Sequence, residues 1–495
     1  MAFVLASRAT MALAAGSRRC GLLIAVAFLC AYLALGQNLM HGYDAYHYMR
    51  CVAEGELHYS LHALYLPTAW SWTQLLGAIG VAQYEAMRSL SAIAAAAGVY
   101  GCHRAAIRLG LDGERAAMAA IGCASVPAVL YSATVVEIDA VEFGCFGIAW
   151  IPFATLLRHN RWSAAVVTGL CTAVAAGFHG AGNLFAASLC GLQLAWGWPG
   201  RRLAETAPRA LVLAAVHLVS ITSIGWLAGS AGQVTMVTNS FGLQFHLDIV
   251  LRVMWIEFLL PYLPFGALVL VGVCRRELRA STIVCLVCLA GYLVLTTWII
   301  GFYREEGRFG PQGGAIERGS FLLGLVPPLV LLSVQALPPR LAWTAVALSA
   351  LSGIVQQRLL DWPADPEGYA SGWAEVSAAE PSHVLLADAQ EWAWIARRHP
   401  TLSSSLIGVI RLQADLVTAQ SGQPVPVEYF VTWFGVESVG HHNAGRRFLI
   451  TDRALLALRA SEDANLAAAA TQLPTVYAME RVSAGAFAAW SLRLR

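Results

Sequence analysis

The sequence predicts an α-helical polytopic membrane protein of about eleven transmembrane helices, followed by a small extracytoplasmic α/β domain. Three observations predict it. The 495 residues are 58% hydrophobic and only 13% charged, with a mean hydropathy of +0.60, which excludes a soluble globular fold for most of the chain. Apolar runs of roughly 15–24 residues recur from Gly21 to Val355 between short polar loops. A span needs about 20 such residues, because backbone N–H and C=O groups in hydrocarbon must be satisfied inside the helix. After about residue 362 the long runs stop, and short β-type and helix-type segments mix.

Charge and cysteine usage agree with this class. The net charge of +2 offers no argument for nucleic acid, and none is expected as a partner. All 32 basic residues are arginine; coding bias explains part of that, so the count alone is not read as phosphate binding. Of the 11 cysteines, Cys51 alone sits in a polar loop and none follows Cys288. The C-terminal region therefore has no disulfide framework, and the cysteines read as small packing residues.

Arg8, Arg18 and Arg19 precede the first apolar run, about 20–37, which reads as a start-transfer anchor with a cytoplasmic N-terminus. The loop 38–66 is then external. Leu64–Ile79 is about 16 residues long, with Pro67, Trp70, Trp72 and Gln74, and reads as a helix in the outer interface. Span 2, about 86–102, delivers His103, Arg104, Arg108 and Arg115 to the cytoplasm. Span 3 (about 116–133) exits, and Glu137, Asp139 and Glu142 follow at its outer end. Span 4 (about 143–157) returns to Arg158 and Arg161, and span 5 (about 163–177) exits to 178–183. Span 6 (about 184–198) returns to 199–209, and span 7 (about 210–228) exits to 229–249. Span 8 (about 250–273) returns to Arg275, Arg276 and Arg279, and span 9 (about 282–301) exits to 302–320. Spans 10 (about 321–337) and 11 (about 341–356) complete the membrane domain, residues 1–360. Every inner loop is then basic, and the acidic clusters gather on the outer face.

Residues 361–379 read as a linker, and 380–495 as the α/β domain. Its β-type runs are HVLLA, VPVEYFVTWF and RRFLITD, and its helix-type segment is ALLALRASEDANLAAAATQL.

Chemistry is expected on the outer face. The stretch 41–67 concentrates four histidines, five tyrosines, Asp44, Glu54 and Glu56. Asp44 starts a short helix on which His47 and Cys51 follow at helical spacing. A carboxylate there can take a proton from an acceptor hydroxyl or ligate a divalent cation, and Asp equally suits a helix N-cap. Glu137, Asp139 and Glu142 sit close to hydrocarbon, costly unless a cation, a partner or water compensates them. Their oxygens suit Mg²⁺ or Mn²⁺; a solvated interfacial turn is the other reading. His58 and His62 would share a face on a helix, in a segment that runs to Tyr65. Without an HExxH motif or a cysteine they do not indicate zinc, which leaves hydrogen bonding to an anionic headgroup or helix packing. His179, at the exit of span 5, faces the same side, as a member of either group or as a structural residue. The loop 302–320 carries Arg304, Arg308 and Arg318 around GPQGG. Arginine there forms forked bonds to phosphate or anchors lipid headgroups.

This pattern resembles GT-C-type glycosyltransferases, most closely the protein mannosyltransferase and lipid A aminoarabinose transferase branch. YSLHALYLPTAWSWTQLLGAIG (59–80) resembles the Pro-containing segment beside that family's active site, and 133–189 its paired fourth and fifth spans. The resemblance covers roughly residues 20–340. It implies transfer of a sugar from a polyprenyl-phosphate carrier to a lipid, glycan or protein acceptor on the outer face. It further implies an integral protein of the bacterial plasma (inner) membrane with its C-terminus extracytoplasmic. Asp44 matches the first-loop carboxylate, a base or metal ligand, and Glu137 and Asp139 match the second-loop acidic positions. These three are the candidate ligands of a divalent cation. His58, His62, Arg304, Arg308 and Arg318 would face the carrier phosphate, with Tyr65 and His179 completing the substrate-binding set. One departure is that Ala45, not a second acid, follows Asp44, which leaves open which acid is the base and whether a metal is needed.

The competing reading is a transporter or flippase of a lipid-linked saccharide. Translocation calls for charge at mid-membrane or inverted repeats. Here ionisable residues gather on one face, which favours surface chemistry.

Overall fold

In the computed structural model, residues 18–38, 42–57, 62–196, 203–227, 258–291, 320–361 and 363–495 are described. They belong to two compact units, a helical one reaching Asp361 and a C-terminal one starting at Trp362.

The helical unit begins with α1 (Arg18–Ala34), α2 (Gly42–Glu54), α3 (Tyr65–Gly77) and α4 (Gln83–Leu109). Next come α5 (Gly113–Ser125), α6 (Pro127–Ser132), α7 (Asp139–His159), α8 (Trp162–Phe178), α9 (Gly182–Trp196) and α10 (Leu203–Leu227). Then follow α11 (Phe265–Leu268), α12 (Val271–Cys274) and α13 (Arg279–Gly291). A 3₁₀ turn (Ser320–Leu325), α14 (Val326–Ala336) and α15 (Pro339–Leu360) close the unit.

Most expected spans are helices, with three breaks, one of them the run at about 250–273, whose described part carries only the two four-residue helices α11 and α12. The run at about 116–133 divides into α5 and α6 because Pro127 lacks an N–H and forces Val126 into an extended conformation, ψ 128°. The run at about 321–337 is a 3₁₀ turn and then α14, whose first turn holds Pro327 and Pro328. Among the described residues, only α7 and α10 are both long and apolar enough to cross a bilayer by themselves. The expected interfacial helix is α3, at 13 residues too short for a span, with Trp72 Nε1 donating to Ala86 O at 3.1 Å and Ser89 Oγ at 3.0 Å. His58, Arg304, Arg308 and Arg318 lie outside the described residues, as does the loop 229–249.

The contact that sets the helical core is a backbone-to-backbone approach of α4 and α7. A Cβ on Gly101 would stand 2.2 Å from Gly147 O, and one on Gly147 would stand 2.3 Å from Gly98 O. Likewise, a Cβ on Gly144 would stand 2.5 Å from Ala94 O. Small residues at these steps let two helices meet on their main chains. Phe143, Phe146, Trp150 and Phe153 of α7 are then buried around the seam.

Polar groups separate to two ends of this bundle. At one end Arg108 donates to Ile151 O at 3.0 Å, Arg158 to Arg108 O at 3.2 Å and Asn160 to Glu205 O at 3.1 Å. At the other, the segments around 62–65, 137–142 and 177–183 meet. Between the ends, Val166, Leu170 and Val174 of α8 and Leu211, Leu218 and Val219 of α10 are exposed. So many bare apolar side chains on helix faces call for an apolar solvent, as the bilayer provides.

The C-terminal unit is α/β. It comprises α16 (Tyr369–Ala379), β1 (Ser382–Leu386), α17 (Ala389–Ala396), β2 (Ser404–Leu406), α18 (Ile407–Ser421) and α19 (Val427–Asn443). These lead to β3 (Arg447–Thr451), α20 (Asp452–Arg459), α21 (Ala464–Val476), β4 (Tyr477–Ala484) and β5 (Phe487–Leu494). The sheet order is β2-β1-β3-β5-β4, parallel through β3 and antiparallel beyond. The stretch expected as linker contains α16, whose Tyr369 and Trp373 are buried against Phe487. VPVEYFVTWF, expected as β, is instead the start of α19. Phe430, Phe434 and Ser438 recur at four-residue steps on its buried face, and Pro426 caps its start.

A stacked histidine pair marks one flank of the sheet. The His383 and His441 rings lie 3.9 Å apart, with His383 Nδ1 2.9 Å from Ser403 Oγ and Nε2 3.0 Å from Ser405 Oγ. Burial first, then His441 and Arg446, pushes His383 down to about 4. A histidine depressed in the folded state stabilises it above the ordinary pKa, and the contribution is lost as pH falls through the folded value. Hydrogen-exchange protection of β1 in the full chain, corrected for intrinsic rates, is expected to fall between about pH 6.5 and 4. His383→Gln flattens that dependence. At the helical seam, Gly147→Leu is expected to cost about 3 kcal/mol or more by overpacking, read as a lowered Tm in detergent. Gly77→Ala, with open space around it, serves as a neutral control.

Candidate active site

The polar end of the helical unit is built on the first turn of α7. The approach of α4 and α7 fixes where that turn begins, and Ser91 of α4 pins the preceding segment. Its hydroxyl donates to Glu137 O at 3.0 Å and accepts from Glu137 N at 3.3 Å. Asp139 and Glu142 are three apart and therefore share a face of α7. All three acids are buried, Glu137 at 2%, Asp139 at 3% and Glu142 at 1% exposure. The N-terminal end of a helix offsets part of that cost through its dipole.

The remaining compensation comes from the turn after α8. His179 Nδ1 lies 2.9 Å from Glu142 Oε2 and 3.5 Å from Asp139 Oδ1. This turn is tight, since a Cβ on Gly182 would stand 2.5 Å from Ala176 N. His179 lies outside the helices. Burial pushes its imidazole down, but Glu142, then Asp139 and Glu137, push it up further, to about 10.

The segment leading into α3 closes the other side. Leu64 N–H donates to Gly177 O at 2.9 Å, and His62 Nδ1 lies 3.2 Å from Phe178 O. The His62 and His179 rings are 5.3 Å apart. Tyr48 of α2 completes the wall, its ring 5.7 Å from His62 and 4.9 Å from Tyr65. Tyr65 is fully buried, and its hydroxyl makes no hydrogen bond among the described residues although the charges of Glu137 and Asp139 act on it.

The structure thus brings together Glu137, Asp139, His62, Tyr65 and His179, all drawn from separate parts of the sequence. It adds Tyr48, and Glu142, which the sequence placed in the acidic cluster but not among the matched site positions. The i, i+3 relation to Asp139 was the available signal for Glu142; nothing in the sequence singled out Tyr48 from its four neighbouring tyrosines. Asp44 lies on α2, one helical turn before Tyr48, and its side chain lies outside the described residues.

A divalent cation fits part of this arrangement. Ligand atoms of Asp139, Glu142 and His179 all lie within 4.8 Å of one another, and the buried Glu142 Oε1 makes no hydrogen bond among the described residues. Of the expected Asp44, Glu137 and Asp139, Asp139 belongs to this group, and the Asp44 side chain lies outside the described residues. Glu137 turns its Oε1 to the Ile138 N–H at 2.7 Å instead, and an imidazole joins the carboxylates. One nitrogen with two carboxylates suits Mn²⁺ or Zn²⁺ better than Mg²⁺.

No protein-family model matches the chain, nor does any curated protein sequence. Solved structures do. ArnT from Cupriavidus metallidurans in the apo state aligns with a TM-score of 0.55 at 12% identity, covering 95% of this chain and 97% of that one. The same protein bound to undecaprenyl phosphate aligns with a TM-score of 0.53 at 11% identity and the same coverage. The chain thus shares the fold of ArnT. The oligosaccharyltransferase of Archaeoglobus fulgidus aligns at a TM-score of 0.46, too low to carry an argument.

Because a bound ion must displace the His179 proton, Mn²⁺ affinity is expected to rise with pH, by about tenfold per unit where one proton is released. Titration of the apo-protein followed by the EPR signal of free Mn²⁺ measures this. Glu142→Gln is expected to abolish saturable binding at this site.

Proposed function

We propose that this protein is a membrane glycosyltransferase that moves a sugar from a polyprenyl-phosphate donor to a lipid, glycan or protein acceptor. The observation that carries this reading is the buried Asp139–Glu142–His179 group, walled by His62, Tyr65 and Tyr48, at one polar end of a GT-C fold. The likeness to ArnT, a protein crystallised with undecaprenyl phosphate, supports the donor class. The reading places the site at the extracytoplasmic face of the bacterial inner membrane, with the N-terminus cytoplasmic.

The chemistry follows from the charges. An acceptor hydroxyl attacks the anomeric carbon, forming the new C–O bond as the bond to phosphate breaks. The phosphate leaves with the electron pair, and a carboxylate takes the hydroxyl proton. Asp44 and Asp139 are the candidates for that carboxylate. The Tyr65 hydroxyl stands ready to donate to anionic oxygen, and His62, whose Nδ1–H is committed to Phe178 O, donates from Nε2 only as the imidazolium. A divalent cation held by Asp139, Glu142 and His179 would supply positive charge for the leaving phosphate. Arg304, Arg308 and Arg318 belong to the proposal as further phosphate ligands.

The test is turnover by purified protein in nanodiscs with a panel of polyprenyl-phosphate sugars, following release of polyprenyl phosphate. Asp139→Asn and Asp44→Asn are each expected to lower kcat about 100-fold or more at unchanged Tm. Wild-type activity in both variants would remove these acids from the mechanism. No turnover with any donor, alongside movement of saccharide-lipid across proteoliposomes, would favour the transporter.

A further inference from the structure

One buried ionisable residue has no part in the chemistry above. His217 lies in the middle of α10, 4% exposed, among apolar residues. An imidazole in a hydrophobic helix is costly and is kept where it does something. Both of its nitrogens are engaged, Nδ1 with Thr172 Oγ1 of α8 at 3.1 Å and Nε2 with Asn183 Oδ1 at 3.0 Å. It reaches Thr172 because α8 and α10 approach closely at Gly169, where a Cβ would stand 2.7 Å from Leu213 O.

Asn183 is the link to the outer turn. Its Nδ2 donates to Gly180 O at 3.0 Å, and its backbone N–H to the same carbonyl at 3.2 Å. Gly182 N–H donates to His179 O at 3.0 Å in the same turn. With the Asn183 amide committed to Gly180, its Oδ1 needs a donor, which assigns the proton of His217 to Nε2. The chain of contacts therefore runs from α8 through His217 and Asn183 to the turn that presses His179 against Glu142.

We propose that His217 is a positioning residue. It donates to Asn183, locks the 179–183 turn, and so holds His179 in register with Asp139 and Glu142, without touching substrate. This rests on the active-site reading above and deepens it. Distortion of the turn would slow the transfer more than it weakens donor binding, because what His179 touches is the carboxylates of Asp139 and Glu142.

Two substitutions separate the contacts of His217. Glutamine places an amide N–H near the imidazole Nε2, so His217→Gln keeps the bond to Asn183. Asparagine reaches only as far as Nδ1, so His217→Asn keeps Thr172 and loses Asn183. In nanodiscs, His217→Asn is expected to lower kcat about 10- to 100-fold with KM within a few-fold, the range for partners that orient a site's ligands. His217→Gln is expected to stay within about threefold of the wild type. Hydrogen exchange of the peptide spanning 178–184 is expected to quicken in His217→Asn and to match the wild type in His217→Gln. Equal kcat and equal exchange in His217→Asn would overturn the proposal, as would a His217→Gln variant as impaired as His217→Asn. A wild-type protein with no transferase activity would defeat the functional reading instead. The exchange comparison would then decide the role of His217 alone.

Discussion

Much of this structure depends on one close approach, the contact of α4 and α7 through Gly98, Gly101, Gly144 and Gly147. Lipid offers no hydrophobic drive for helices to associate, so association rests on dispersion over matched surfaces and on hydrogen bonds. Removing side chains from the seam brings the two main chains together and buries the aromatic residues of α7 around it. It also determines the height at which α7 begins. Ser91 can then hold Glu137, and Asp139 and Glu142 open the helix beside the turn that carries His179.

Three buried carboxylates could not stand there alone. Each would shed its charge or draw in water unless something repaid its hydration. The helix end and the His179 imidazole share that task, and the same arrangement leaves Glu142 Oε1 without a hydrogen bond among the described residues. Stability and chemistry therefore make the same demand on this corner of the molecule: positive charge in a small buried volume. The Thr172–His217–Asn183 contacts carry a polar chain from the exposed Asn183 to the buried His217, whose two nitrogens are both engaged.

The C-terminal unit obeys different rules. Its parallel strands β1 and β3 are buried, β2 is half-buried beside β1, and the β4–β5 hairpin extends the sheet at one edge, as expected for α/β packing in water. VPVEYFVTWF shows where local reading fails. Val, Tyr, Phe and Trp carry strand propensity, yet four-residue spacing of Phe430, Phe434 and Ser438 buries one helical face, and tertiary burial overrides the preference.

Composition and periodicity alone determined that the chain is a helical membrane protein, that an α/β unit follows, and that acids gather at one end of the helices. These are legible because hydrocarbon imposes long apolar runs and excludes charge, constraints that act residue by residue. The breaks at Pro127 and at Pro327–Pro328 were equally written in the chain, though a hydropathy reading passes over them. Only the tertiary structure decided which acids and histidines meet. Asp139 and His179 lie 40 residues apart in sequence, and His217 and Thr172 lie 45 apart. Their contact depends on helix ends coming level and on backbones meeting at glycine, long-range geometry that no local pattern encodes. For the same reason Glu142, visible as one acid of three, became a member of the site only once the turn after α8 closed over it.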